Sequence, residues 1–202
     1  MTHFAADEAA FNELKEQVHG TLHIGRRLPE WPFRAPAGYV TVYEYDRVLG
    51  LDFGSVLDAL ARGHDDDSVV VLGLEPTPAY YRDEYGFLPG LQFDRGVIVE
   101  GFAAGLSHEP DDDPTGRLGD TLDVVAIAGS SGAWGIWGQR DWEIGLLLTP
   151  EERGAWLETG VPWFDRDVDL DSIRSPAGWG TTLSAADREE FARQLRERGG
   201  GP

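Results

Sequence analysis

The chain has 202 residues, of which 41% are hydrophobic, and its 36 acidic residues against 17 basic ones give a formal charge of -19. That length suits one domain, and seven Trp, nine Phe and six Tyr are more aromatic residues than a disordered chain carries. The charge repels phosphate backbones, and no block of Lys or Arg interrupts it, Lys15 being the single lysine, which argues against direct nucleic-acid binding.

The absence of cysteine removes disulfides, thiolate metal sites and cysteine nucleophiles. The opening MTHFAADEAAFNELK has acidic residues where a signal peptide has positive ones, and no apolar run reaches the length of a membrane span. A cytoplasmic location without membrane association is expected.

In chain order, Phe11, Leu14 and Val18 recur at helical intervals, which predicts an amphipathic helix from Ala6 to Val18 with Gly20 as its stop. His23 to Gly38 carries three prolines and reads as an extended crossing anchored by Trp31 and Phe33. Its Arg26 and Arg27 are expected to pair with surface carboxylates. Tyr39 to Val48 reads as a strand whose row of tyrosines packs under a helix. Asp52 is expected to cap a helix with the apolar stripe Phe53, Val56, Leu57 and Leu60, ended by Gly63. The HDDD run from His64 to Asp67 is then a loop, and Ser68 to Leu74 a strand buried on both faces.

Thr77-Pro78 signals a short helix closed by Gly86, and Gly96 to Ala103 reads as a further strand. Ser107 to Gly119 is a polar loop. The stretch from Thr121 to Thr149 holds three apolar runs separated by a Gly-Ser-Ser-Gly turn and a Gln-Arg-Asp turn. Connections this short allow only an antiparallel meander. Its first strand is apolar on both faces; its third, with Trp142, Ile144, Leu146 and Leu148 opposite Asp141, Glu143 and Gly145, reads as half-buried. Thr149-Pro150-Glu151-Glu152 has the cap, proline and acidic residue of a helix start, and Trp156 would dock that helix. Ser184 and Asp187 form a second capping pattern before a final amphipathic helix. The expected fold is thus α+β: one mixed or mainly antiparallel sheet with a meander at about 121–148, packed with several short helices, in a single domain over 1–198 with a flexible tail at 199–202.

No motif supplies a catalytic set, and no catalytic residue is assigned. Ser131 imitates the nucleophile elbow of serine hydrolases, but no helix pattern follows it and the last histidine is His108, upstream. Asp165, Asp167, Asp169 and Asp171 alternate along DRDVDLD, the first three at calcium-loop spacing. Leu170 stands where that loop needs glycine and Pro176 where it needs glutamate, so weak divalent-cation binding is the most this run implies. The dinucleotide fingerprint and the phosphate-binding loop are both missing, and no cofactor is expected.

What remains is an acidic surface with aromatic anchors, the candidate binding residues being Trp134, Trp137, Arg140, Asp141 and Glu143. Such a surface suits a non-enzymatic module that binds a basic protein, as an immunity protein neutralises a nuclease, or one that self-associates. The alternative is a hydrolase or small-ligand binder with a cleft beside the Gly/Trp-rich strands.

Overall fold

The computed structural model describes residues 3–110, 113–169 and 183–200. In them an antiparallel sheet is built from β1 (His3–Phe4), β2 (Tyr39–Glu44), β3 (Ser68–Glu75), β4 (Gly90–Asp94), β5 (Val124–Gly129), β6 (Gly135–Gln139), β7 (Ile144–Thr149) and β8 (Phe164–Asp165). Their spatial order is β1-β4-β3-β5-β6-β7-β2-β8, so the short strands β1 and β8 form the edges. Around it lie α1 (Glu8–His19), α2 (Tyr45–Val48), α3 (Gly54–Gly63), α4 (Pro78–Tyr85), α5 (Ile98–Leu106), α6 (Leu118–Thr121) and α7 (Ala185–Arg198). The fold is α+β, as the pattern of the sequence predicts.

The meander is β5, β6 and β7, with Ala126 opposite Trp137 and Trp137 opposite Leu146. Successive side chains of a strand point to opposite faces, and here both faces are covered. Val70, Leu72, Val124, Ala126, Ala128 and Leu146 join Phe11, Leu14, Leu22, Trp31, Phe33, Phe191 and Leu195 in one core, under α1, α7 and the proline-rich crossing. Val69, Val71, Val125, Ile127 and Leu147 join Val48, Val56, Leu57, Leu60, Ile98 and Phe102 in the other, under α2, α3 and α5.

Local signals hold at Thr77, Gly86 and Ser184, and α1 starts at Glu8, two residues later than expected. Asp7 caps α1, its side chain accepting from Ala10 N at 2.9 Å. Thr77 caps α4, and Gly86 ends it in the left-handed region at φ 73°. Ser184 caps α7, accepting from Asp187 N at 3.1 Å. Leucine and phenylalanine at Leu195 and Phe191 then turn α7 towards the sheet.

The strand expected over Tyr39 to Val48 ends at Glu44, and Tyr45–Val48 turns into α2. Four further expectations are corrected. First, β7 is buried on both faces, because Asp141 and Glu143 precede the strand and its second face is Gly145 and Leu147, under Val48 and the α2 layer. Second, Gly96 to Ala103 is not a strand but a turn leading into α5; its buried residues Ile98, Gly101, Phe102, Gly105 and Leu106 have helical spacing once the glycines are counted as contact positions. A Cβ at Gly101 would stand 2.9 Å from the Phe93 ring of β4, the strand next to it. Third, no α-helix begins at Thr149. That residue ends β7 opposite Tyr39, and its hydroxyl donates to Glu151 O at 2.8 Å instead of accepting as a cap; a 3-10 turn at Ala155–Glu158 docks the buried Trp156 in place of the helix. Fourth, Asp52 lies within a 3-10 turn, Leu51–Phe53, that leads into α3 without a side-chain cap. The glycine-rich end also has defined neighbours: Gly199 O accepts from Val40 N at 3.2 Å, and Gly200 bridges to Tyr39.

Candidate functional site

Gly138 and Gly145 face each other across β6 and β7. A Cβ on Gly138 would stand 2.7 Å from Val125 Cγ1 and 3.2 Å from the Tyr45 ring, and one on Gly145 would stand 2.3 Å from Val48 Cγ2. The absent side chains leave a slot, and α2 fills it with Tyr45 and Val48. On the same sheet a Cβ on Gly135 would meet Thr21 Cγ2 at 2.9 Å. The space beside the Gly/Trp strands, where the sequence suggested a cleft, is therefore occupied by the protein's own side chains.

Seated in that slot, the Tyr45 hydroxyl donates to Leu122 O at 2.6 Å, and burial pushes its pKa well above the ordinary phenol value. Its ring supports the Arg140 guanidinium, 4.9 Å above the centroid. Arg140 donates from Nε and Nη2 to Leu122 O at 3.0 and 2.8 Å, and from Nη2 to Asp120 O at 3.2 Å. It is thus fixed chiefly by backbone carbonyls. Its charge reaches Asp123 at 3.2 Å and Asp46 at 3.8 Å.

Other elements bring more carboxylates to this end of the strands. Glu75 closes β3 and pairs with Arg27 of the crossing at 2.5 Å, while the Arg27 guanidinium lies 5.6 Å from the Trp137 ring. Asp141 is exposed on the 3-10 turn Arg140–Trp142. Glu143 follows with a left-handed backbone, φ 58°, its N–H donating to Arg140 O at 2.9 Å. Glu44 ends β2 and faces Arg47 at 3.5 Å. Asp46, Glu75, Asp123 and Asp141 thus meet two guanidinium groups, those of Arg27 and Arg140, while Glu44 pairs with Arg47 alongside. The excess is felt at Asp123: partial burial raises its carboxyl pKa above the usual range, Arg140 pulls it down, and Glu75 and Asp141 push it further up.

The five expected binding residues divide. Arg140, Asp141 and Glu143 come together at the strand end. Trp134 and Trp137 are 1% and 0% exposed and belong to opposite cores. The Trp134 indole N–H donates to Asp66 Oδ2 at 2.7 Å, and that of Trp137 to Gln139 Oε1 at 3.3 Å. Both tryptophans are structural, buried because each strand face has its own helical cover, and present no surface to a partner. Of the alternating aspartates, Asp165 pairs with Thr41 across β2, Asp167 lies 3.9 Å from Arg166, Asp169 is exposed, and Asp171 lies outside the described residues. Among the described residues no three His, Asp or Glu side chains converge as metal ligands.

Two groups escaped the sequence reading. Asp66, inside the HDDD run, is fully buried and accepts from Trp134 Nε1, from Ser131 N at 2.5 Å and from Ser130 Oγ at 3.5 Å. It ties the end of α3 to the turn between β5 and β6. The other group lines a cleft at the opposite end of the strands from Arg140: His64, Glu151, Arg153 and Trp156. Neither has a local sequence signal, since each is assembled from segments over 60 residues apart.

Among the described residues no helix is long and apolar enough to cross a membrane. Compared with known proteins, the chain matches no family model, no curated protein and no solved structure, so its reading rests on its own residues.

Proposed function

We propose that this chain is a cytoplasmic protein-binding module whose acidic strand end docks a basic protein partner, in the manner of an immunity protein that neutralises a nuclease. The observation that carries this is the imbalance around Asp123, where Asp46, Glu75, Asp123 and Asp141 meet two guanidinium groups, those of Arg27 and Arg140; partial burial raises the Asp123 carboxyl first, and Glu75 and Asp141 add to that rise. A partner presenting Lys or Arg there would relieve that repulsion and supply the missing counter-charge. Exposed ion pairs are each worth about 0–1 kcal/mol, so the face acts chiefly by steering encounter and selecting charge. Arg140, held by carbonyls and by the Tyr45 ring, keeps the carboxylates from collapsing onto one cation. Asp141 and Glu143 extend the face outward.

The test uses the full chain labelled with ¹⁵N and an arginine-rich peptide as probe. Amide shifts should concentrate at 44–47, 120–123 and 139–145, and binding should weaken steeply with added salt. A D123N/D141N/E143Q variant, which keeps size and fold, should weaken binding by roughly tenfold or more. Shifts spread evenly over all acidic surfaces, or equal affinity in the variant, would sink the reading.

A further inference from the structure

We propose that the cleft between the C-terminal end of α3 and residues 151–156 binds a small oxyanion, a carboxylate or a phosphate monoester. The cleft has a volume of about 540 Å³ and is bounded by Asp58, Arg62, His64, Glu151, Arg153 and Trp156. Two residues that line it, His64 and Trp156, carry buried nitrogen atoms with no hydrogen-bond partner. The His64 side chain is 7% exposed, and its Nε2 has no acceptor or donor within bonding distance. The Trp156 indole N–H is likewise buried and unpaired. Buried polar groups are almost always satisfied, so two orphans on residues lining one cleft call for a third party.

The orphans are held in place. The His64 and Trp156 rings stack with centroids 5.9 Å apart and planes 29° from parallel. A Cβ on Gly154 would stand 1.9 Å from the indole, so only glycine lets Trp156 lie flat on that backbone. His64 N donates to Leu60 O at 3.0 Å, which fixes the His64 backbone to the last turn of α3.

The charges at the rim select the sign of the guest. Arg62 is matched by Asp58 at 2.7 Å and cancels. Arg153 is exposed and, among the described residues, has no carboxylate within ion-pair distance. Of the two carboxylates lining the cleft, Asp58 is engaged by Arg62 and Glu151 faces His64: its Oε2 lies 3.6 Å from His64 Nε2, too far for a hydrogen bond, on a side chain 55% exposed and able to swing out. An incoming carboxylate or phosphate replaces it, accepting from Trp156 Nε1 and His64 Nε2 while Arg153 closes from the rim. This site lies at the other end of the strands from Arg140, and neither reading depends on the other.

The experiment titrates the full ¹⁵N-labelled chain with acetate and, separately, with inorganic phosphate at fixed pH and ionic strength. The Trp156 indole resonance, assigned with W156F, should move saturably while the other tryptophan indoles stay still. R153Q, an exposed change that leaves the fold intact, should weaken that saturation by roughly tenfold, and H64Q should do the same. Saturation by acetate alone assigns a carboxylate ligand, and saturation by phosphate alone a phosphate monoester. No saturable movement with either probe overturns the proposal. So does a movement that R153Q leaves unchanged while the remaining amide spectrum shows the variant folded.

Discussion

Replacing Asp66 with alanine should be among the most destabilising single changes away from the apolar core. The carboxyl group is fully buried and accepts from Trp134 Nε1 at 2.7 Å and Ser131 N at 2.5 Å. Gly129 is shaped around it, since a Cβ there would lie 2.3 Å from Asp66 Oδ2. Alanine leaves both donors facing an empty site. A buried donor without a partner costs about 1–3 kcal/mol, more for the fully enclosed indole than for the part-buried amide, so the loss should be about 3 kcal/mol. Urea unfolding would read this as a lower midpoint at an unchanged slope. The control is D66A/W134F, which removes donor and acceptor together. Its coupling term should recover about 1 kcal/mol or more relative to the two single changes added. A loss in D66A below about 1 kcal/mol, or strict additivity in the pair, would refute the assignment of Asp66 as the bond between α3 and the β5–β6 turn.

Three further outcomes follow from particular contacts. G145A should overpack the α2 slot, where the new Cβ meets Val48 Cγ2 at 2.3 Å, and cost about 1–3 kcal/mol; V48A in the same chain should restore most of it in a thermal melt. The Asp123 carboxyl, raised in the folded state, binds its proton more tightly there than when unfolded. Its contribution therefore favours folding at low pH and is lost as pH rises through its folded value, and R140Q should move that titration higher still in a carboxyl-detected NMR experiment. Glu190 behaves with the opposite sign. Hydrogen bonds from Arg193 and Gln194 lower it to about 2, so its contribution is present above the ordinary Glu value of 4.5 and fades as pH falls towards 2. R193Q should move the Glu190 titration up towards the usual range, with the Gln194 hydrogen bond still holding part of the depression, and an unmoved curve would count against the α7 pair at 2.6 Å as its main cause.

How much of this was legible without the structure is clearest from neighbouring elements. The meander could be read because β5, β6 and β7 are joined by connections too short for any crossover, and because β5 shows apolar residues on both faces. The strand-end face was partly legible: Arg140, Asp141 and Glu143 share one turn, so local chemistry placed them together. Glu75, Asp46 and Arg27 join them only through pairing and the α2 slot, which no local pattern announces. The tryptophans misled for a related reason. Ring size predicts burial or anchoring equally well, and only the presence of helices on both faces of the sheet decides between them.

The sequence by itself determined the class of element wherever a short-range rule dominates: caps at Thr77 and Ser184, the stop at Gly86, the alternation of β5, and a charge that repels phosphate backbones. Tertiary structure decided whatever depends on a distant partner. It made α5 a helix because Gly101 presses on Phe93, left Thr149 as a strand end because Tyr39 lies opposite it, and buried Asp66 because Trp134 reaches it across 68 positions of sequence. A cap or a turn is settled by atoms a few bonds away. A slot between two glycines, a buried carboxyl or a pair of orphaned nitrogens exists only once separate segments have packed, and each segment alone carries no trace of the others.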